Sequence, residues 1–141
     1  MQRGNDVDQQ ALVAQLAKKL KEDKLLSPTP WSKFVKTASA KDRPPAQKDW
    51  WYFRGASILR RMYVTRKPAG VGRFRRVYGD KTKNTLSSHH FKPAGGSIIR
   101  KIMQQLESSG LVTKKKVGVH SGRVISAKGV SLIDSISRNI K

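Results

Sequence analysis

The chain has 141 residues, with 30 lysines and arginines against 9 aspartates and glutamates, for a net charge of +21 and a pI near 11. That length suits one domain, and an object so self-repelling is expected to live against a polyanion, nucleic acid first and an anionic membrane surface second. No run approaches the ~20 apolar residues of a membrane span, the stretch MQRGNDVDQQ has no apolar segment ahead of a small-residue cleavage site, and the lack of cysteine excludes disulfides and a thiolate zinc site, so a cytosolic or nuclear chain is expected.

In chain order, residues 7 to 22 predict a helix, with Leu12, Val13, Leu16, Ala17 and Leu20 at helical spacing. Ser27-Pro28-Thr29-Pro30 stops it and starts a short second one, capped by Thr29 and carrying Trp31, Phe34 and Val35 as an apolar face. The run from Lys41 to Pro45 breaks regularity again. Asp49 is a candidate N-cap for a central helix over 50 to 65. There Trp51, Tyr52, Gly55, Ala56, Ile58, Leu59, Met62 and Tyr63 share an arc of about 160°. Arg54 and Arg61 fall outside it beside Ser57 and Trp50, while Arg60 and Phe53 sit on the other flank.

Residues 66 to 96 show no sustained periodicity and hold five glycines and two prolines, which predicts a long functional loop or one ordered by a partner. A helix follows over 97 to 109, capped by Ser97, with Ile98, Ile99, Ile102, Met103 and Leu106 facing the core and Gly110 ending it. Leu111-Val112 and Val117 to Val119 read as one strand and Arg123 to Ile125 as its return, joined by a turn at His120-Ser121-Gly122. Ser126 caps a last helix with Val130, Leu132, Ile133 and Ile136 inside. The helix over 97 to 109, the hairpin and the run Gly-Arg-Val-Ile-Ser-Ala-Lys-Gly from Gly122 resemble the C-terminal half of winged-helix domains. The expected fold is therefore mainly α: a single winged-helix-like domain over 1 to 141, with a small β-hairpin as the wing and a long basic glycine-rich loop at 66 to 96.

The loop's Gly70-Val71-Gly72 raises a nucleotide phosphate site, and both templates fail. A dinucleotide fingerprint needs a third glycine where Arg75 stands, and a mononucleotide loop needs Gly-Lys where Asp80 intervenes between Gly79 and Lys81. A polyanion fits better: between Trp50 and Leu106 there are 13 Arg/Lys residues and one acid, Asp80. Arginine forks grip phosphates bidentately, glycines admit close backbone approach, and Phe74 and Tyr78 can stack on bases or lie tucked beneath the loop. His89 and His90 lack the ligand spacing of a zinc site, and His120 is read as a turn residue able to touch phosphate. Trp31 and Trp51 are expected in the core, Trp50 on the arginine side. The acids are scattered, and no nucleophile–base pair is visible, so neither catalysis nor any cofactor or metal is expected.

In order and spacing, Pro30-x-Trp31 with Val35-Lys36-Thr37, then Asp49-Trp50-Trp51-Tyr52-x-Arg54-x-Ala56-Ser57-x-x-Arg60, then Ala69-Gly70-Val71-Gly72 with Tyr78-Gly79, then Ser88-His89-His90-Phe91 resemble the eukaryotic and archaeal small-subunit ribosomal protein nineteen, the "e" family. The resemblance runs over about residues 7 to 137. It implies a winged-helix-like fold in the head of the small ribosomal subunit, against small-subunit ribosomal RNA and neighbouring head proteins. It also implies a role in maturation of that RNA, on cytoplasmic ribosomes, with nucleolar assembly in a eukaryote. The RNA-facing positions it implies are Trp50, Arg54 and Arg60, the basic glycine loop, and Arg100 and Lys101. With Arg61 and the loop's Arg66, Lys67, Arg73, Arg75, Arg76, Lys81, Lys83, His89 and Lys92, these make the expected RNA-contacting set. A winged helix reading duplex DNA is the alternative, with Arg100, Lys101, Gln104, Gln105 and Ser108 on the groove-facing side of the 97–109 helix.

Overall fold

A computed structural model of the chain describes residues 4–83 and 86–140. The first helix, α1 (Gln9–Glu22), begins where the Asp8 carboxylate accepts the Ala11 amide at 2.9 Å, an N-cap worth ~1 kcal/mol. It lays Leu12, Leu16, Ala17 and Leu20 along α2 (Trp50–Thr65), which buries Trp51, Gly55, Ala56, Ile58, Leu59, Met62 and Tyr63. The predicted bounds of α2 are borne out at both ends. Asp49 stands at its N-cap position, but its carboxylate makes no capping bond; it takes Lys21 Nζ at 2.9 and 3.0 Å instead. At Gly55 an added Cβ would lie 2.2 Å from Leu26 Cδ1, so this glycine lets the α1–α2 connection pass against the helix.

Pro30–Lys33 forms a single 3-10 turn. Thr29 does not cap it: its hydroxyl oxygen is buried without a partner. Nor is the expected apolar face buried, since Phe34 is 82% exposed and Trp31 38%, the latter set edge-on to Trp51 with centroids 5.9 Å apart. Ser32 is the buried residue of the turn, its hydroxyl donating to the Thr29 carbonyl at 2.6 Å, and of the expected apolar face Val35 alone packs half-buried against the core.

The segment expected as a loop contains a helix, α3 (Val71–Val77), and two short paired strands, β1 (Asp80–Lys81) and β2 (Phe91–Lys92); its residues 84 and 85 lie outside the described residues. Val71, Phe74 and Tyr78 recur at three- and four-residue spacing and pack inward, with Phe74 buried. Helix α4 (Gly96–Ser108) starts one residue earlier than expected, with Gly95 rather than Ser97 at the N-cap, and buries Ile98, Ile99, Ile102, Met103 and Leu106. It closes on Gly110 at φ +76, the left-handed conformation that glycine adopts without strain.

The wing is a regular antiparallel hairpin of β3 (Val112–Val117) and β4 (His120–Ile125). Its turn is the pair Gly118-Val119, with Gly118 at φ +60, so His120 to Gly122 lie in a strand and not in the turn. From Thr113 to Val117 every residue of β3 is exposed, because past Val112 this strand stands clear of the core. Helix α5 (Ala127–Asn139) begins at the expected cap, the Ser126 hydroxyl accepting the Gly129 amide at 3.2 Å. All five helices contribute to one apolar cluster, in which each fully buried Leu or Ile is worth about 1.5–3 kcal/mol.

Two seams tie the irregular parts to this core. Ala69 and Arg123 exchange both backbone hydrogen bonds at 3.0 Å, docking β4 against the end of the α2–α3 connection. Ala38 pairs with Ala94, and the Gly95 amide donates to the Thr37 carbonyl at 2.9 Å, holding the segment before α2 against the start of α4. No described helix is long and apolar enough to cross a membrane.

Candidate nucleic-acid interface

The polar face of α2 carries the most organised cationic surface. Arg54 is half-buried with its guanidinium 4.1 Å from the centroid of Tyr78, and Arg61 lies 5.9 Å from the same ring. The Tyr78 hydroxyl and Ser57 Oγ share a hydrogen bond of 2.7 Å, and the ring stacks on Phe74 at 6.4 Å. The two loop aromatics are therefore not free to stack on bases. Phe74 is core, and Tyr78 is a platform that α3 presents to the arginines of α2. Burial lowers the pKa of Arg54 from its ordinary value while the neighbouring Tyr78 pulls it the other way; an arginine stays charged throughout.

In front of this platform runs a groove of about 370 Å³ between α2 and the segment before it, lined by Lys41, Arg43, Trp50, Phe53, Arg54 and Tyr78, among others, with no carboxylate. Trp50 is half-buried and edge-on to Trp51 at 5.5 Å. Asp80, the one acid of the central stretch, is paired with Lys41, whose hydrogen bond holds its carboxyl below the ordinary value. Sequence reasoning missed Lys41, Arg43 and Phe53. The two cations sit in a stretch with no periodicity, and only their charge in Lys-Asp-Arg-Pro-Pro could have signalled them.

A second cluster forms where α3 meets α4. Arg75 donates from Nε to the Ala94 carbonyl at 2.9 Å, and a Cβ at Gly96 would sit 3.5 Å from Arg75 Nε and 3.9 Å from an Arg100 terminal nitrogen. Two exposed guanidiniums thus flank the first turn of α4. Arg73 and Arg76 are exposed on α3, and Lys101 on α4. Lys81, Lys83, His89 and Lys92 are exposed on the β1–β2 ribbon, where the His89 ring nitrogen Nδ1 meets the Thr82 carbonyl. The wing adds exposed Lys114, Lys115 and Lys116, which line a hollow with Gly70 and Arg123.

The remaining expected residues are placed differently. Arg66, in the left-handed conformation at the end of α2, lies over Tyr63 at 4.4 Å, and Lys67 beside it is exposed. Arg60 is half-buried, its Nε–H without an acceptor. Gln105, expected on the exposed side of α4, is half-buried instead. Its side chain accepts from Trp51 Nε1 at 3.1 Å and donates to the Ser27 carbonyl at 2.8 Å. Among the described residues no three His, Asp or Glu side chains gather as metal ligands would.

Over residues 3–141 the chain matches the model of the family described as Ribosomal protein S19e. The chain belongs to that family. It is 44% identical over 136 residues to the small ribosomal subunit protein eS19 of Aeropyrum pernix, covering 96% of this chain and 87% of that one. The protein of the same description from Thermoplasma volcanium is 39% identical over 92% of this chain and 83% of its own length. The eS19G protein of Ascaris suum is 39% identical over 96% and 90%. The resemblance expected over about residues 7 to 137 is thus borne out over residues 3–141.

Proposed function

We propose that the chain is a structural RNA-binding protein of the small ribosomal subunit, holding small-subunit ribosomal RNA in the head and supporting its maturation and assembly. The observation that carries this is the groove beside Trp50, Phe53 and Arg54, where three cations and three aromatic rings converge without a carboxylate. Cations of that kind neutralise phosphates, and the rings of Trp50 and Phe53 admit unpaired bases, with Tyr78 backing Arg54. The relatives' names, each a small ribosomal subunit protein, support the same reading. The duplex-DNA alternative counts on five α4 side chains, and one of them, Gln105, is already engaged by Trp51 and Ser27.

Expressed in its native cell, the protein should sediment with small ribosomal subunits on a gradient and stay there at moderate salt. Crosslinking should join its α2 and α3 arginines to small-subunit RNA. Free migration, or recovery with chromatin alone, would overturn the reading.

A further inference from the structure

A second groove shares Phe53 and Ser57 with the first and is lined by residues of α1 and α2. It measures about 490 Å³, and its walls include Gln9, Gln10 and Val13 of α1 and Phe53, Arg60 and Arg61 of α2. That volume is in the ~300–1,000 Å³ range of pockets that enclose a small organic group. Its two cations face no carboxylate among the lining residues, and Arg60 keeps a buried Nε–H that no protein group accepts. Native structures rarely leave such a donor unmet. The two glutamine amides each offer a donor and an acceptor, the pairing that the edge of a nucleobase requires.

We propose that this groove receives a single unstacked nucleotide of the bound RNA. Its base lies beside Phe53 and Val13, its edge meets Gln9 and Gln10, and its phosphate is held by Arg60 and Arg61. The proposal rests on the RNA-binding reading and adds to it the feature that is recognised, an extruded base in place of continuous backbone. An acidic peptide would satisfy the arginines but carries no aromatic ring to set against Phe53. A fully paired helix cannot enter, because its bases stay stacked inside it.

The test compares two short RNA duplexes, one fully paired and one carrying a single unpaired nucleotide, against the full chain and the variants Phe53→Ala and Ala14→Glu. Ala14 is exposed on α1 at the groove, so a glutamate there places a carboxylate against the phosphate without disturbing the core. The unmodified chain should bind the bulged duplex roughly 5- to 150-fold more tightly, the worth of one base stacked on an aromatic ring, and the ratio should fall to about one in both variants. Equal affinities in the unmodified chain, or a ratio that survives both variants, would overturn the proposal and leave the RNA-binding reading standing. Selective displacement of the bulged duplex by a polyglutamate peptide, abolished in Ala14→Glu, would reassign the groove to an acidic segment. Failure to bind either RNA would remove the RNA-binding reading and this one with it.

Discussion

The guanidinium of Arg54 stands 4.1 Å from the ring centroid of Tyr78, so a residue expected only on the RNA side also joins α2 to α3. A partly desolvated cation–π pair is worth about 0.5–2 kcal/mol. Arg54→Ala should therefore lower stability by that amount without RNA present and weaken RNA binding as well. Arg100, exposed on α4, has no such second role, and Arg100→Ala should change stability by no more than ~0.5 kcal/mol while weakening binding. Denaturant melts of the free protein separate the two. Equal destabilisation by both would show that the stacking on Tyr78 contributes nothing.

The wing is held by a close approach of backbones. A Cβ at Gly122 would lie 2.9 to 3.0 Å from the Ala69 backbone, so Gly122→Ala should push the Ala69–Arg123 bridge apart. A cost of about 1–3 kcal/mol is expected for such overpacking. Amide exchange should report it locally, with protection falling at Ala69 and Arg123 and kept through α2.

Glu107 accepts from Arg123 Nε at 2.8 Å and pairs with Lys114 at 3.4 Å. The hydrogen bond from Arg123 is the largest influence and holds its carboxyl below the ordinary glutamate value; burial, next in size, opposes it, and the charges of Arg123 and Lys114 add to the lowering. A pKa lower in the folded chain than in the unfolded one stabilises above the unfolded value and is lost as pH falls towards the folded one. The unmodified chain should thus melt higher than Glu107→Gln at neutral pH. Below about pH 4.3 the gap should narrow and then close; a gap constant down to pH 2 would remove the ionic account.

The exposed lysines of β3 should act through charge alone. Replacing Lys114, Lys115 and Lys116 by glutamine should leave the melting temperature almost unchanged. It should flatten the dependence of RNA affinity on salt by about 0.7–0.9 in log–log slope for each phosphate the lysines no longer neutralise. An unchanged slope would place the wing away from the RNA.

Helices with a continuous buried stripe were legible in the sequence: α2 to the residue, α4 to within one, and α5 at the Ser126 cap that opens it. The failures share a cause. Helix α3 has seven residues, and the glycines and arginines around them hide the spacing of Val71, Phe74 and Tyr78, which alone marks its inner side. The hairpin turn fell on Gly118 rather than His120 because β3, standing free of the core, carries no alternation to set its length. At the site, cation identity was readable and engagement was not. Nothing in the residue types distinguishes Arg54, packed on a ring, from Arg73, open to solvent, or predicts that Gln105 would be spent on Trp51.

The exposed outer part of the hairpin bears on the protein before it meets any partner. A two-stranded ribbon offers unpaired edges that another chain could extend, and such edges seed aggregation. Here one edge belongs to β3, with three consecutive lysines that repel a like strand. The other belongs to β4, whose Arg123 backbone is already closed by Ala69. Strand addition is opposed by charge on one side and by the Ala69 pairing at Arg123 on the other, so a chain awaiting assembly has its wing protected against its own copies.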